Sequence, residues 1–266
     1  MRLTEAVILA VDTETTGTDP EQARIVELGG AYLRGGVVQD KLLRDRVNPG
    51  IYIPAGASVV HGIKSEDVAD APPWAEIAAR FRRHLDAGPV LCGYNFAFYD
   101  ARVIAAENLR HGVDWTLPTA LDPFVFALWH HRGERTRKLG NTCALYGIGL
   151  PEDRAHSADA DALATVALLM AMVQVGCVPD DVEAAFCEQA RLRAILDVEE
   201  AEYGRYLYAD RTDGQLRVGL GKFAGTLLDD VDEDYVRWIA GRPDLPDSVR
   251  LAVNRRLGKV EQIGLF

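Results

Sequence analysis

The run Asp12-Thr13-Glu14-Thr15-Thr16-Gly17 constrains this chain more than any other feature. It follows Val7-Ile8-Leu9-Ala10-Val11, a short apolar stretch that reads as a buried strand. Side chains two apart on a strand point the same way. Asp12 and Glu14 therefore present two carboxylates from one edge at the end of that strand. Two hard oxygen ligands held so close together suit Mg²⁺ or Mn²⁺. Taken alone, the same residues also describe an acidic turn, with Gly17 supplying the bend.

The remaining sequence decides between these readings. Its 266 residues suffice for one sizeable core, or for one domain and a small appendage, and the 48% apolar content predicts a packed protein. A formal net charge of −11 argues against a protein that coats nucleic acid, because phosphate neutralisation needs clustered Lys and Arg. It does not exclude a nucleic-acid substrate, since metal ions can supply positive charge at an active centre. Cys92, Cys143, Cys177 and Cys187 have no C-x-x-C spacing, so core packing in a reducing compartment is expected rather than zinc or redox chemistry. No signal peptide or membrane span is read, and the expected location is cytoplasmic.

Strands are predicted over residues 7–12, 24–33, 37–47, 89–94 and 119–122. Helices are predicted after Pro72-Pro73, with Trp74, Ile77, Ala78, Phe81 and Leu85 on one face, and over 99–109, 124–130, 138–146 and 158–175. A hairpin followed by strand–helix alternation indicates an α/β fold with a mixed sheet. Residues 180–202 read as a charged helix with a solvated face. Beyond it, Thr212-Asp213-Gly214 lies between alternating segments, a hairpin signal. Two short helices, over 233–240 and 248–257, close the chain.

Three further groups accompany the acidic motif. Gly93-Tyr94-Asn95-Phe96-Ala97-Phe98-Tyr99-Asp100 ends a strand and opens a helix, so Asp100 should emerge near Asp12. His156-Ser157-Ala158-Asp159-Ala160-Asp161 opens the 158–175 helix, and Val60-His61-Gly62-Ile63 reads as a turn. Read singly, these are a helix cap, a capping cluster and a half-buried His. Together they resemble the DEDD exonucleases of the His subtype, the group containing proofreading epsilon subunits, exonuclease I, exonuclease X, ribonuclease T and oligoribonuclease. The resemblance covers residues 6 to 175. The Tyr94-Asn95 to Asp100 spacing is one residue longer than in the epsilon subunits and similar to that of exonuclease I.

The resemblance implies a ribonuclease H-like fold, a five-stranded mixed sheet flanked by helices. It implies that Asp12, Glu14, Asp100 and Asp161 hold two Mg²⁺ or Mn²⁺ ions and that His156 is the general base, a role matched to its ordinary pKa of about 6.5. Two cations about 4 Å apart can stabilise both the attacking and the leaving oxygen of a phosphodiester displacement. Thr13, Thr15, His61 and Asn95 become expected substrate contacts, His61 through an element beside the terminal nucleotide. Phe98 is a candidate for base stacking, with Phe96 and Tyr99 as competitors and at least one of the three expected in the core. Arg135, Arg137 and Lys138, with Arg132, form the densest basic stretch. They read equally as a phosphate grip or as a solvated loop.

The sequence thus divides into an exonuclease domain (1–178), a helical connector (179–204), a small α+β module (205–261) and a tail (262–266). Gly221-Lys222-Phe223-Ala224-Gly225 and the stretch around Tyr235 and Trp238 resemble the C-terminal module of exonuclease X-like proteins, with those two aromatics as its mini-core. Gln262, Ile263, Leu265 and Phe266 resemble the peptide by which bacterial replication and repair proteins bind the sliding clamp. The expected activity is removal of nucleoside 5′-monophosphates from single-stranded or frayed 3′ ends of DNA, in repair or replication. Trimming of RNA ends and a clamp- or polymerase-binding adaptor are the alternatives.

Overall fold

The acidic motif is part of a strand rather than the turn after one. The computed structural model describes residues 1–39, 43–149 and 157–258. In it β1 (Val7–Thr15) continues three residues beyond the expected end, because Thr13 and Thr15 are β-branched, buried and able to pair. β2 (Ile25–Arg34) runs antiparallel to it, with Asp12 opposite Gly29 and Glu14 opposite Glu27. The register shifts between Glu14 and Thr15, where the ladder ends. The expected strand over 37–47 is two pieces, β3 (Val37–Val38) and β4 (Leu43–Arg46), both antiparallel to β2.

Residues expected to form a turn instead close a helix. α1 (Ala55–His61) ends at Gly62, whose φ of 73° lets its N–H reach the carbonyl of Ser58. α2 (Trp74–Asp86) buries the face read from sequence, through Trp74, Ile77, Ala78 and Phe81. β5 (Val90–Cys92) then enters parallel to β1. α3 (Asp100–Arg110), α4 (Pro123–His130), α5 (Leu139–Leu145), α6 (Ala158–Gln174) and α7 (Val182–Tyr203) follow. The strand expected over 119–122 is reduced to a parallel bridge between Leu121 and Cys92. The sheet is five-stranded and mixed, with β3, β2, β1 and β5 adjacent in that order and β4 also against β2. The expected α/β class is therefore observed. No helix among the described residues is long and apolar enough to cross a membrane.

The chain resolves into two compact units: Met1–Phe126 with Leu139–Gln189, and Ala127–Lys138 with Ala190–Phe266. The first contains the sheet and a core of Leu9, Val11, Ile25, Leu28, Trp74, Phe81 and Val103. All four cysteines are thiols, and Cys92 and Cys143 lie in its interior. The second adds the hairpin β6 (Leu207–Ala209) and β7 (Leu216–Val218), then α8 (Glu233–Ala240) and α9 (Asp247–Arg256). Its core uses Leu207, Val218, Val236, Ile239, Val249 and Val253. The two aromatics expected in the mini-core sit at its rim. Tyr235 stacks on Trp238 with centroids 5.1 Å apart, yet Trp238 is 41% exposed, because Val236 and Ile239 occupy the inward face of α8.

α6 packs across β1 and β2, and one residue permits the approach. A Cβ added to Gly29 would lie inside the van der Waals envelope of the Ala158 carbonyl carbon and the Asp159 amide nitrogen. Backbone cannot yield as a flexible side chain can. Gly29→Ala should therefore cost about 1–3 kcal/mol or more in denaturant unfolding. Unchanged stability would contradict the close approach.

Candidate active site

The strand and the helix together build the acidic centre. Alternation along β1 puts Asp12 and Glu14 on one face. The first turn of α6 carries Asp161 to the same place, and one carboxylate oxygen from each of the three lies within 4.8 Å of the others. The close approach at Gly29 lies in the same turn of α6, at Ala158 and Asp159.

Asp100 is the fourth residue of the expected set. It opens α3 and is buried, but it is not one of the three converging groups. Its Oδ1 accepts the backbone N–H of Thr13 at 3.0 Å and the Thr13 hydroxyl at 2.6 Å. These bonds fix Asp100 between the two ligand positions of β1. Its charge still reaches Asp12, where it is the largest influence after burial.

Burial and mutual repulsion both disfavour the ionised carboxyls. Asp12 is held well above the usual carboxylate range, by burial first and then by Asp100, Glu14, Asp161 and Glu27. Glu14 is pushed up to about 8 by burial, then by Asp161, Glu27 and Asp100, with Arg46 opposing. Asp100 rises to about 7 through burial, against the hydrogen bonds that favour its charged form. Such a centre fits a divalent cation. Its donors are all carboxylate oxygens, three converge, and each is made unfavourable by the charge a cation would cancel.

The β5–α3 connection is shaped by Asp122, the last residue of the strand expected over 119–122. Asp122 is fully buried and accepts the backbone N–H groups of Asn95 and Phe124 at 2.9 and 3.0 Å. Asn95 takes a positive φ of 59°. Its backbone is thus part of the turn that aims the loop. Burial raises Asp122 to about 6, even with these bonds. The signal for its role was present as an Asp two residues before Phe124, at the start of a predicted helix.

The other expected contacts divide. The Thr13 hydroxyl is engaged with Asp100, and that of Thr15 with the Gly17 carbonyl at 2.9 Å and with Tyr99. His61 closes α1, and its Nδ1 accepts the Ile63 N–H at 3.0 Å. Burial lowers the pKa of His61, offset in part by the Thr15 backbone. Phe98 is half-buried, with its ring edge-on to Phe124, while Phe96 is in the core. Arg135, Arg137 and Lys138 belong to the second unit. Arg135 and Lys138 are exposed. Arg137 directs its guanidinium at the carbonyls of Arg132, Glu134 and Gly219, at 3.2, 3.1 and 3.4 Å. His156 and the tail residues Gln262, Ile263, Leu265 and Phe266 lie outside the described residues.

The raised carboxyl pKa values predict how stability depends on pH. Between the ordinary value near 4 and the folded value, the native state binds more protons than the unfolded chain, so stability falls as pH rises. For Glu14 that window runs from 4.5 to about 8, and Asp100 and Asp122 act in the same direction. In chelator, the melting temperature should fall between about pH 5 and pH 8. Saturating Mg²⁺ should flatten that slope. A slope of the opposite sign in chelator would overturn the electrostatic account.

Comparison with known proteins agrees with this geometry. The profile of the RNase_T exonuclease family matches residues 9–169. A DNA polymerase III subunit epsilon-like protein of Rhodobacter capsulatus is 32% identical over 165 residues, which are 61% of this chain and 23% of that protein. The match therefore spans about a quarter of that relative's length. An uncharacterized exonuclease of Escherichia phage 186 is 31% identical over 179 residues, covering 62% of this chain and 88% of the phage protein. Among solved structures, E. coli exonuclease I in complex with a dA16 oligonucleotide superposes with a TM-score of 0.53 at 18% identity, over 97% of this chain and 69% of that one. That last likeness concerns the fold. With the family profile spanning the sheet, Asp12, Glu14, Asp100 and Asp161, the chain belongs to the RNase_T exonuclease family.

Proposed function

We propose that this protein is a metal-dependent 3′–5′ exonuclease that hydrolyses phosphodiester bonds of DNA and releases nucleoside 5′-monophosphates. The observation that carries the reading is the convergence of Asp12, Glu14 and Asp161 within 4.8 Å, inside the region that matches the exonuclease family. Asp12, Glu14 and Asp161 would hold two Mg²⁺ or Mn²⁺ ions, with Asp100 as the fourth ligand. When bound, the pair supplies positive charge to both oxygens that become negative during in-line displacement. Thr13 braces Asp100 beside β1 by donating both its N–H and its hydroxyl.

His156 is assigned as general base on sequence grounds: it takes the proton of the attacking water. The β5–α3 loop, with Asn95, Phe98 and Tyr99, and the end of α1 at His61 offer surfaces for the terminal nucleotide. Arg135 and Lys138 suit a phosphate grip better than Arg137, whose donors are spent on carbonyls. DNA is the favoured polymer. The epsilon-like relative is named for DNA polymerase III, and the exonuclease I complex contains dA16. The polymerase III likeness supports work in replication, and repair is the alternative setting. The domain division proposed is an exonuclease domain over 1–178, a connector over 179–204 and a small module over 205–261.

Incubating 5′-labelled DNA and RNA oligomers with Mg²⁺, Mn²⁺ or chelator tests the reading. DNA should shorten from its 3′ end in either metal and stay intact in chelator. Asp12→Ala should lose both Mn²⁺ binding and cleavage. His156→Ala should slow turnover by about 10²–10⁴ while still binding Mn²⁺. A ladder on RNA alone would reassign the substrate, and cleavage of neither polymer would favour an adaptor.

Residues 262–266 are proposed to bind the bacterial sliding clamp, with Ile263, Leu265 and Phe266 in an apolar pocket and Gln262 as polar anchor. Deleting them should abolish clamp affinity in a pull-down with purified clamp. Equal affinity in the truncated chain would remove that partner.

A further inference from the structure

Glu27 is a fifth carboxylate at this end of the sheet, and the reaction above does not use it. It is 1% exposed, lies in the middle of an otherwise apolar stretch of β2, and stands directly opposite Glu14. An unpaired charge there would be costly. Glu27 has compensation instead: its Oε1 lies 2.7 Å from Arg44 Nε and 3.2 Å from Arg46 Nε. Its other oxygen, Oε2, lies 3.3 Å from the backbone nitrogen of Ala158 and accepts that N–H.

Ala158 is the first residue of α6, and Asp161 is three residues further on. The N–H groups of a helix's first turn have no partner within the helix and attract negative charge. Arg44 also lies 3.6 Å from Asp159 Oδ1, in that same turn. One buried carboxylate and its two arginines thus tie β2, β4 and the start of α6 together. The tie lies beside Gly29, where backbone meets backbone too closely for a Cβ. The glycine removes the obstacle to approach, and the glutamate supplies the attraction.

We propose that Glu27 is a positioning residue for the divalent-cation site: by anchoring the first turn of α6 to β2, it sets the distance of Asp161 from Asp12 and Glu14. This rests on the metal-site reading of those three carboxylates. Glu27 is not itself a ligand in this assignment. Two arginines and a helix N–H occupy its oxygens.

Mn²⁺ binding to the metal-free full chain, measured by calorimetry beside the melting temperature, tests this. Glu27→Gln preserves volume and an oxygen for the Ala158 N–H but loses the charge that holds Arg44 and Arg46. It should weaken Mn²⁺ affinity about 10-fold or more. Glu107→Gln is the control. Glu107 is equally buried and ion-paired, with Arg110 at 2.8 Å and with Arg24, outside the network of Glu27. It should lower the melting temperature yet leave Mn²⁺ affinity within about twofold.

Affinity unchanged in Glu27→Gln, or weakened equally in Glu107→Gln, would overturn the positioning role. Should Glu27→Gln fail to fold, Arg44→Gln decides, since that side chain is 44% exposed. It should weaken Mn²⁺ binding severalfold, and unchanged affinity would overturn the proposal. A wild-type chain that binds no Mn²⁺ would remove the metal site and this inference together. Normal wild-type binding with an indifferent Glu27 variant would remove the inference alone.

Discussion

The structure depends on forcing like charges together at one end of a sheet. Asp100, Asp161 and Glu27 all act on Asp12 and Glu14 there, and Glu27 has Arg44 and Arg46 directly on one of its oxygens. Repulsion of this kind tends to spread side chains apart or draw in protons. The framework resists spreading because each carboxylate sits on an element fixed by other means. β1 is paired on both sides, α3 begins at Asp100, and α6 is wedged against β2 at Gly29. What remains is proton uptake, and the raised pKa values of Asp12, Glu14 and Asp100 record it. The centre is unfavourable in itself, and the rest of the first unit holds it in place.

The hydrogen-bonded surroundings follow from the same need. Thr13 lies between Asp12 and Glu14, and its hydroxyl and N–H together hold Asp100 beside them. Asp122 holds the loop before α3 by accepting the backbone N–H groups of Asn95 and Ala97. Tyr99 reaches from that loop to Thr15 and to the Gly17 carbonyl, closing the end of β1. These residues contribute geometry, and their carboxylate and hydroxyl chemistry is consumed in doing so.

Much of this was legible in the sequence. Alternation placed Asp12 and Glu14 together, the 3.6-residue period identified the buried face of α2, and Asp213-Gly214 marked the hairpin of β6 and β7. Other features depended on tertiary partners. β1 runs on to Thr15 because β2 is there to pair with it, and strand propensity alone does not carry that information. α1 has no buried residue, so no apolar periodicity announced it; only Gly62 marked its end. The role of Arg137 turns on carbonyls 3 to 82 positions away. Glu27 did leave a local signal, a charge inside an apolar strand, but its meaning required the N-terminus of α6, 131 residues later.

The chain's net charge of −11 bears on the proposed activity in a specific way. Ionised, Asp12, Glu14, Asp100 and Asp161 would meet a polyanionic substrate with a field of its own sign; protonated, they could not hold the cations the reaction needs. Among the described residues, Arg44 and Arg46 at this end of the sheet are already committed to Glu27. Two divalent cations would carry a charge of about +4, equal and opposite to four ionised carboxylates. Metal uptake would then be needed before a phosphate could enter, apart from any part it plays in bond cleavage. In that order of events the same cations relieve the fold's internal repulsion and admit the substrate. Substrate affinity measured without metal should thus be weak, even in a chain whose fold is intact.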